Sequence, residues 1–138
     1  MKTWLLDTGP LVAYLDAKDP AHSAVVSCLD AFVGELCTTD AVIVEAMHFV
    51  VSAINGPMLL ADFVEASGLR IYPYTRPTQL RDAARLMQKY ADTPMDFADA
   101  TLVMLADQLS ALEVVTLDRR GFSTYRTARG KALRRVLD

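Results

Sequence analysis

The sequence has few of the residues that build thiol or soft-metal sites. Among 138 residues there are two cysteines and two histidines. Cys28 and Cys37 fit neither a zinc-ligand spacing nor a CxxC motif, and such scarcity is typical of reduced thiols in a cytosolic protein. No apolar run reaches the roughly 18 uncharged residues of a membrane span. Met1-Lys2 leads into a short apolar run rather than a secretion signal. We therefore expect a cytoplasmic protein.

Glycine, proline and lysine are also scarce. Six glycines and six prolines argue against disorder and low complexity. An apolar content of 52% lets a chain of this length bury a core without disulfides, and we expect one domain over residues 1–138. Lysine occurs only at positions 2, 18, 89 and 131. None of these follows a late strand, where a receiver-like phosphotransfer domain usually has a lysine, so that alternative is disfavoured but stays open.

Charge is divided unevenly along the chain, although the net charge is only −3. Residues 1–118 contain 7 Lys and Arg against 16 Asp and Glu, a balance of −9. Residues 119–138 contain 7 against 1, a balance of +6. A basic end of this kind favours contact with a polyanion. The alternatives are a solubilising tail and arginines paired with the acidic body.

Short apolar runs alternate with helical patterns. Strands are predicted at Thr3–Leu6, Leu36–Thr39, Leu69–Tyr72 and Val114–Leu117, with Leu133–Leu137 as a fifth strand or a basic helix. The first interval between strands is long enough for a pair of helices. Alternation of this kind implies parallel pairing and right-handed crossovers. The expected fold is a three-layer α/β/α sandwich with a central, mostly parallel sheet of four to five strands.

Prolines and capping residues mark the predicted helix starts. Asp40 is predicted as the N-cap of a helix over Ala41–Ile54. Thr93-Pro94 is predicted to open a helix that runs to about Gln108, with Thr93 and Asp96 spaced as a capping box.

Four acidic residues stand where an apolar run ends or a helix begins: Asp7, Glu45, Asp99 and Asp118. The carboxyl ends of parallel strands share one edge of a sheet, and ligands bind there. Four carboxylates brought together repel one another unless a cation lies among them. The pattern therefore predicts a divalent metal site and phosphate chemistry. Asp96 shares a helix face with Asp99 and is a fifth candidate.

Each of these acids also has an ordinary explanation. Asp7, Asp96 and Asp118 are suited to capping helices, although Thr8 or Gly9 can cap as well as Asp7 and leave it free. Glu45 alternatively lies on a solvent face.

The run Leu5-Leu6-Asp7-Thr8-Gly9 also matches an aspartic-protease motif. That fold is all-β, whereas Pro10–Leu15 has a helical pattern. Thr8 and Thr116 are candidates for orienting ligands or binding phosphate, with strand-end hydrogen bonding to the backbone as the alternative.

Taken together, these segments resemble the PIN domain (PilT N-terminus) family over essentially the whole chain. Residues 5–11 (LLDTGPL) match its opening motif, and Val44-Glu45 matches its second acid. Phe97-Ala98-Asp99-Ala100 matches the third acid, with Asp96 as the frequent extra one, and residues 115–122 (VTLDRRGF) match the fourth. Within the family the chain is similar to the VapC-type ribonuclease toxins of toxin–antitoxin pairs.

The resemblance implies a metal-dependent endoribonuclease that leaves a 5′-phosphate and a 3′-hydroxyl. Carboxylates without a Cys or His cluster select one or two Mg²⁺ or Mn²⁺ ions. Asp7, Asp99 and Asp118 would hold them, and Glu45 and Asp96 would be direct or water-mediated ligands. Asp7, Glu45, Asp99 and Asp118 are the predicted catalytic residues. A non-catalytic metal-binding module remains an alternative.

The partners implied are an RNA substrate, a cognate antitoxin protein and a second copy of the chain in a homodimer. Pro57–Val64 carries more apolar residues than one helix face can bury. A helix–helix interface or an antitoxin groove is therefore expected there, with ordinary core packing as the alternative.

Overall fold

The computed structural model describes residues 1–137, so Asp138, the last residue of the predicted domain, lies outside the described residues. Within that range, five strands form one sheet: β1 (Thr3–Leu6), β2 (Glu35–Thr39), β3 (Arg70–Tyr72), β4 (Glu113–Val115) and β5 (Arg134–Arg135). Their order is β3-β2-β1-β4-β5, and each pairing is parallel. The predicted sheet is confirmed, and the C-terminal run takes the strand alternative.

Helices of residues 1–137 flank this sheet, which confirms the predicted α/β sandwich. They are α1 (Thr8–Leu15), α2 (His22–Ala31), α3 (Asp40–Val50), α4 (Gly56–Ser67), α5 (Pro77–Lys89), α6 (Phe97–Leu109) and α7 (Arg119–Thr124). The first crossover contains the predicted helix pair, α1 and α2. A parallel α/β sheet excludes the all-β aspartic-protease alternative. No helix within the described range is long and apolar enough to cross a membrane.

The order of strands reverses at β1. Strands β2 and β3 lie on one side of it, and β4 and β5 lie on the other. Leu5 of β1 pairs with Cys37 of β2 on one side and with Val114 of β4 on the other. All three side chains are fully buried. In open α/β sheets ligands bind at the carboxyl ends of the strands where the order reverses. That position falls between β1 and β4, where Asp7 ends β1.

Two predicted helix starts are wrong. Thr39, not Asp40, caps α3, because the Asp40 carboxylate instead accepts a hydrogen bond from Tyr74 N at 3.0 Å and ties α3 to the segment after β3. Helix α6 begins at Phe97, later than Thr93-Pro94. The amide of Thr93 donates to the Tyr90 carbonyl at 3.0 Å and closes a turn there.

The true start of α6 involves two of the candidate site residues. Asp96 is its N-cap, and Asp96 and Asp99 form a reciprocal capping box. The predicted box between Thr93 and Asp96 is therefore wrong. The box forms between Asp96 and Asp99 because the Asp99 carboxylate reaches the backbone amide of Asp96, as a Glu or Gln in that position would.

Candidate active site

The five predicted site carboxylates line one cleft at the carboxyl edge of the sheet, together with Asp19. The cleft has a volume of about 390 Å³, and its acids include Asp7, Glu45, Asp96, Asp99 and Asp118. They come from the end of β1, from α3, from the start of α6 and from the segment after β4. The structure thus brings all five predicted site residues together. Which of them binds a metal remains a prediction.

Asp7 is the most buried acid of the cleft, with 7% of its surface exposed. It caps α1, so the expectation that a neighbour would cap the helix and leave Asp7 free is wrong. Its oxygens accept hydrogen bonds from Thr8 N at 2.8 Å and from the Thr116 hydroxyl at 2.7 Å. Burial raises the pKa of Asp7 to about 6; the two hydrogen bonds oppose this, and Asp96 and Glu45 add repulsion.

Asp99 and Asp96 are joined at the start of α6. Asp96 N donates to Asp99 Oδ2 at 3.1 Å, and Asp99 N donates to Asp96 Oδ1 at 2.8 Å. Burial, followed by the negative charges of Asp7 and Asp96, raises the pKa of Asp99 to about 8. A cation in the cleft would offset these negative charges and favour the charged form of Asp99.

Glu45 and Thr8 both line the cleft. Burial raises the pKa of Glu45, Asp96 raises it further, and the nearby Thr8 hydroxyl lowers it. Thr8 is 5% exposed, and its Oγ1 has no hydrogen-bond partner within residues 1–137. A buried hydroxyl without a partner costs free energy. Its place in the cleft lining marks a position where a ligand oxygen or a water can bind.

Thr116 connects the two acids that follow neighbouring strands. Its hydroxyl donates to Asp7 and accepts from Asp118 N at 3.0 Å. Asp118 caps α7 by accepting from Gly121 N at 2.9 Å. A side chain at residue 121 would overlap the Asp118 carboxylate and the Tyr125 hydroxyl. The run after β4 therefore fixes the distance between Asp7 and Asp118 through one threonine.

Three cleft-side residues were not found by sequence reasoning. Asp19 lines the cleft, and its side chain accepts from Ala21 N at 2.8 Å; only the turn after α1 brings it there. Phe49 lines the cleft one helical turn beyond Glu45, a spacing that could have revealed it. Tyr125 is fully buried, and its hydroxyl donates to the Pro94 carbonyl at 2.9 Å.

The donor set fits a hard divalent cation. Carboxylate and hydroxyl oxygens are the ligands that Mg²⁺ and Mn²⁺ prefer, and the cleft lining contains no Cys or His. Within residues 1–137, no three Asp, Glu, His or Cys side chains already form a group that could hold an ion. Helix-cap hydrogen bonds occupy oxygens of Asp7, Asp96, Asp99 and Asp118.

Thr116→Val is expected to raise the pKa of Asp7 above 6 by about one unit. The reason is that it removes a hydrogen bond to the charged carboxylate. The measurement is an NMR titration that follows the carboxyl carbon of Asp7 in the metal-free protein.

Thr38→Val is the matched control for this titration. Thr38 is equally buried, and its hydroxyl donates to the Leu6 carbonyl at 2.7 Å rather than to an acid. Thr38→Val should leave the pKa of Asp7 unchanged. An equal shift in both variants would mean that Thr116 acts only through general stability.

Comparison with known proteins places this fold and cleft in context. The PIN domain family model matches residues 4–128. A protein of Mycobacterium tuberculosis named Ribonuclease VapC26 is 35% identical over 127 residues, covering 91% of this chain and 94% of the relative.

Solved structures share the fold. The crystal structure of M. tuberculosis VapC20, described as a sarcin-ricin loop cleaving toxin, has a TM-score of 0.76 at 15% identity and covers 86% of this chain and 92% of that one. VapBC2 from Rickettsia felis, bound to a DNA fragment of its promoter, has a TM-score of 0.64 at 14% identity, with 96% of each chain covered.

Proposed function

Because the chain belongs to the PIN domain family, we propose that it is a metal-dependent endoribonuclease and the toxin of a type II toxin–antitoxin pair. The observation that carries the proposal is the cleft at the strand-order reversal, in which five carboxylates and the unpartnered Thr8 hydroxyl meet. The ribonuclease name of the M. tuberculosis relative supports the reaction class. We further propose that residues 1–138 act as one domain in the cytoplasm, where free Cys28 and Cys37 stay reduced.

Asp7, Asp99 and Asp118 are the residues that would hold one or two Mg²⁺ or Mn²⁺ ions, with Glu45 and Asp96 as direct or water-mediated ligands. A bound ion of this kind lowers the pKa of a coordinated water and offsets negative charge on the scissile phosphate.

The residues of the chain prepare this chemistry. Thr116 holds the Asp7 carboxylate in one orientation and favours its charged form. The pKa of Asp99 is raised first by burial and then by repulsion from Asp7 and Asp96, so a bound cation would favour its charged form. Glu45, half-buried with a raised pKa, is placed to accept the proton of the attacking water. The new bond joins water oxygen to phosphorus, the P–O3′ bond breaks, and the 3′ oxygen takes up a proton.

Two other functions are less well supported. A receiver-like phosphotransfer domain needs a lysine at the phosphate, and no lysine lines the described cleft. A non-catalytic metal-binding module would use the same acids, and the ribonuclease name of the M. tuberculosis relative favours a catalytic role over it. Cleavage of single-stranded RNA that requires added Mg²⁺ or Mn²⁺ separates the proposed function from both.

The basic end divides into two groups of arginines. Arg129 and Arg134 form ion pairs with acids of α6 and β4, and Arg126 donates to backbone carbonyls of residues 123–125. The alternative of pairing with the acidic body therefore holds for Arg129 and Arg134, whereas Arg126 is bound within the basic end itself. Arg119 and Arg120 are exposed, follow Asp118 at the cleft, and make no ion pair within residues 1–137. We propose that these two contact RNA phosphates.

Replacing Arg119 and Arg120 together by Gln is expected to flatten the dependence of log K on log[salt] by about 0.7 per lost phosphate contact. Binding of a single-stranded RNA, measured at several salt concentrations, gives this slope. The paired variant Arg129→Gln and Arg134→Gln removes equal charge from ion-paired positions and should change the slope less. Equal slopes for both double variants would place the RNA elsewhere.

The apolar surface at the turn between α3 and α4, together with the first turn of α4, is the proposed partner surface. Val51, Ile54 and Met58 are 64%, 90% and 65% exposed, more than a monomer of this size needs to leave in water. Leu60, by contrast, is 1% exposed, so it belongs to the core and does not face a partner. We propose that this surface binds a second copy of the chain or an antitoxin segment.

Met58→Lys is expected to convert a homodimer into a folded monomer, since it places a charge in the apolar contact. Light scattering gives the mass, and a melting curve shows that the fold is kept. Leu60→Lys is the contrasting variant and should unfold the protein. A wild-type chain that is strictly monomeric at high concentration would contradict the homodimer.

A further inference from the structure

A second cavity adjoins the acid cleft and shares a wall with it. This cavity, of about 620 Å³, lies between α3, the start of α6 and the segment after β3. Glu45, Phe49 and Asp96 line both the cavity and the acid cleft. Its volume is within the range of pockets that bind small molecules. We call it the base cavity.

The wall of the base cavity is mostly apolar and aromatic. Val44, Phe49 and Phe97 contribute to it. Phe49 is 59% exposed and Val44 is 70% exposed. The ring of His48 contacts that of Phe49 edge to face, with 5.8 Å between centroids. Phe49 belongs to α3, and its ring is more than half exposed beside the carboxylates that line the cavity, so it has no role in the core.

We propose that the base cavity receives an unpaired nucleobase next to the scissile phosphate and that Phe49 stacks on this base. The inference rests on the proposed function. Unpaired bases bind proteins by stacking on aromatic side chains, whereas the bases of a duplex cannot be turned outwards without loss of pairing. A phosphate held among the acids leaves its neighbouring base at the shared wall. The substrate is then a single-stranded region of RNA.

The charges around the cavity favour a base over other occupants. Asp40, Glu45 and Asp96 line it, so a phosphate would be repelled there, whereas a neutral base is not. A covering protein surface would bury the Glu45 and Asp96 carboxylates without water. A single base covers the Phe49 ring and leaves those carboxylates facing the acid cleft.

The test compares variants of Phe49 in the full-length chain. Phe49→Ala is expected to weaken binding of a single-stranded oligo(A) by about tenfold, with a larger change in KM than in kcat. Phe49→Tyr should retain the affinity. Val33→Ala is the matched control, because Val33 is 90% exposed and lines neither cavity. Its binding should equal that of wild type.

Two further probes report stacking directly. A strand of abasic spacers with the same phosphates should bind wild type and Phe49→Ala equally, because without a base the ring has nothing to contact. Phe49→Trp should lose fluorescence when oligo(A) binds. The tryptophan fluorescence of the wild-type chain comes from Trp4 alone and is the baseline for this measurement.

The outcomes separate this inference from the proposed function. If Phe49→Ala binds and cleaves RNA as wild type does, the proposed role of the base cavity is overturned, while the proposed function stands. A Phe49→Ala variant with normal RNA affinity but altered mass in light scattering would assign the ring to a protein contact and also overturn it. A wild type that neither binds nor cleaves RNA would overturn both.

Discussion

Replacing Asp7 by Asn is expected to lower RNA cleavage by about three orders of magnitude while leaving the metal-free fold intact. Asp7 follows β1 at the strand-order reversal, and under the proposed function its charge would hold the cation. The amide keeps the size of the side chain and can still accept from Thr8 N, as the carboxylate does. It also removes a buried charge that is repelled by Asp96 and Glu45. The metal-free variant should therefore melt at or above the temperature of wild type.

Asp62→Asn is the matched control for this substitution. Asp62 is an exposed residue of α4 and does not line the acid cleft. It should cleave RNA as wild type does. Undiminished cleavage by Asp7→Asn would rule out the proposed role of the cluster, whereas a variant that fails to fold would show that Asp7 is needed as a cap.

The second large effect is on stability. The metal-free protein is expected to lose stability as pH rises through the window set by Asp7 and Asp99. Their pKa values are raised from 3.8 to about 6 and about 8, so the folded state binds more protons than the unfolded state within that window. Stability then falls with increasing pH. The ionisation of Asp7 alone lowers the free energy of unfolding by on the order of 3 kcal/mol across this window, which lowers Tm by about 10 °C.

A divalent cation should reverse this trend. Mg²⁺ or Mn²⁺ binds the charged carboxylates, so its stabilisation grows as pH rises and protons no longer compete. Melting curves in EDTA and in Mg²⁺, recorded from about pH 5 to about pH 8.5, measure both effects. Asp7→Asn should show a smaller dependence on pH and on Mg²⁺. A Tm in EDTA that rises across this window would contradict the charge repulsion.

Local pattern was sufficient to predict the sheet and the gathering of the acids. Apolar runs such as Thr3–Leu6 are short and end at polar residues, so their strand assignment depends on neighbours in sequence only. Parallel order follows from the helices between strands, and parallel order brings Asp7 and Asp118 to one edge. The reaction class was predicted from four motifs that match those of the PIN domain family in order. No single one of these motifs could have predicted it.

Features that depend on a choice between equally suitable local caps, or on tertiary contact, were not predictable in the same way. The capping box of α6 moved from Thr93 to Asp96 because Asp99 reaches back to the cap, and Thr93 and Asp96 fit the sequence rule equally well. Arg129 and Arg134 form ion pairs and Arg119 does not, and this difference could be seen only once the positions of the acidic partners were known. Local sequence rules cannot supply contacts between residues that are distant along the chain.

The most direct test of the central claim is a single cleavage assay. The purified chain is incubated with an end-labelled single-stranded RNA in Mg²⁺ or Mn²⁺ and, in parallel, in excess EDTA. The account predicts endonucleolytic products with 5′-phosphate and 3′-hydroxyl ends in the presence of the metal, and none in EDTA or with Asp7→Asn. Equal cleavage in EDTA, or 2′,3′-cyclic phosphate ends, would contradict a carboxylate-bound metal as the source of the activity.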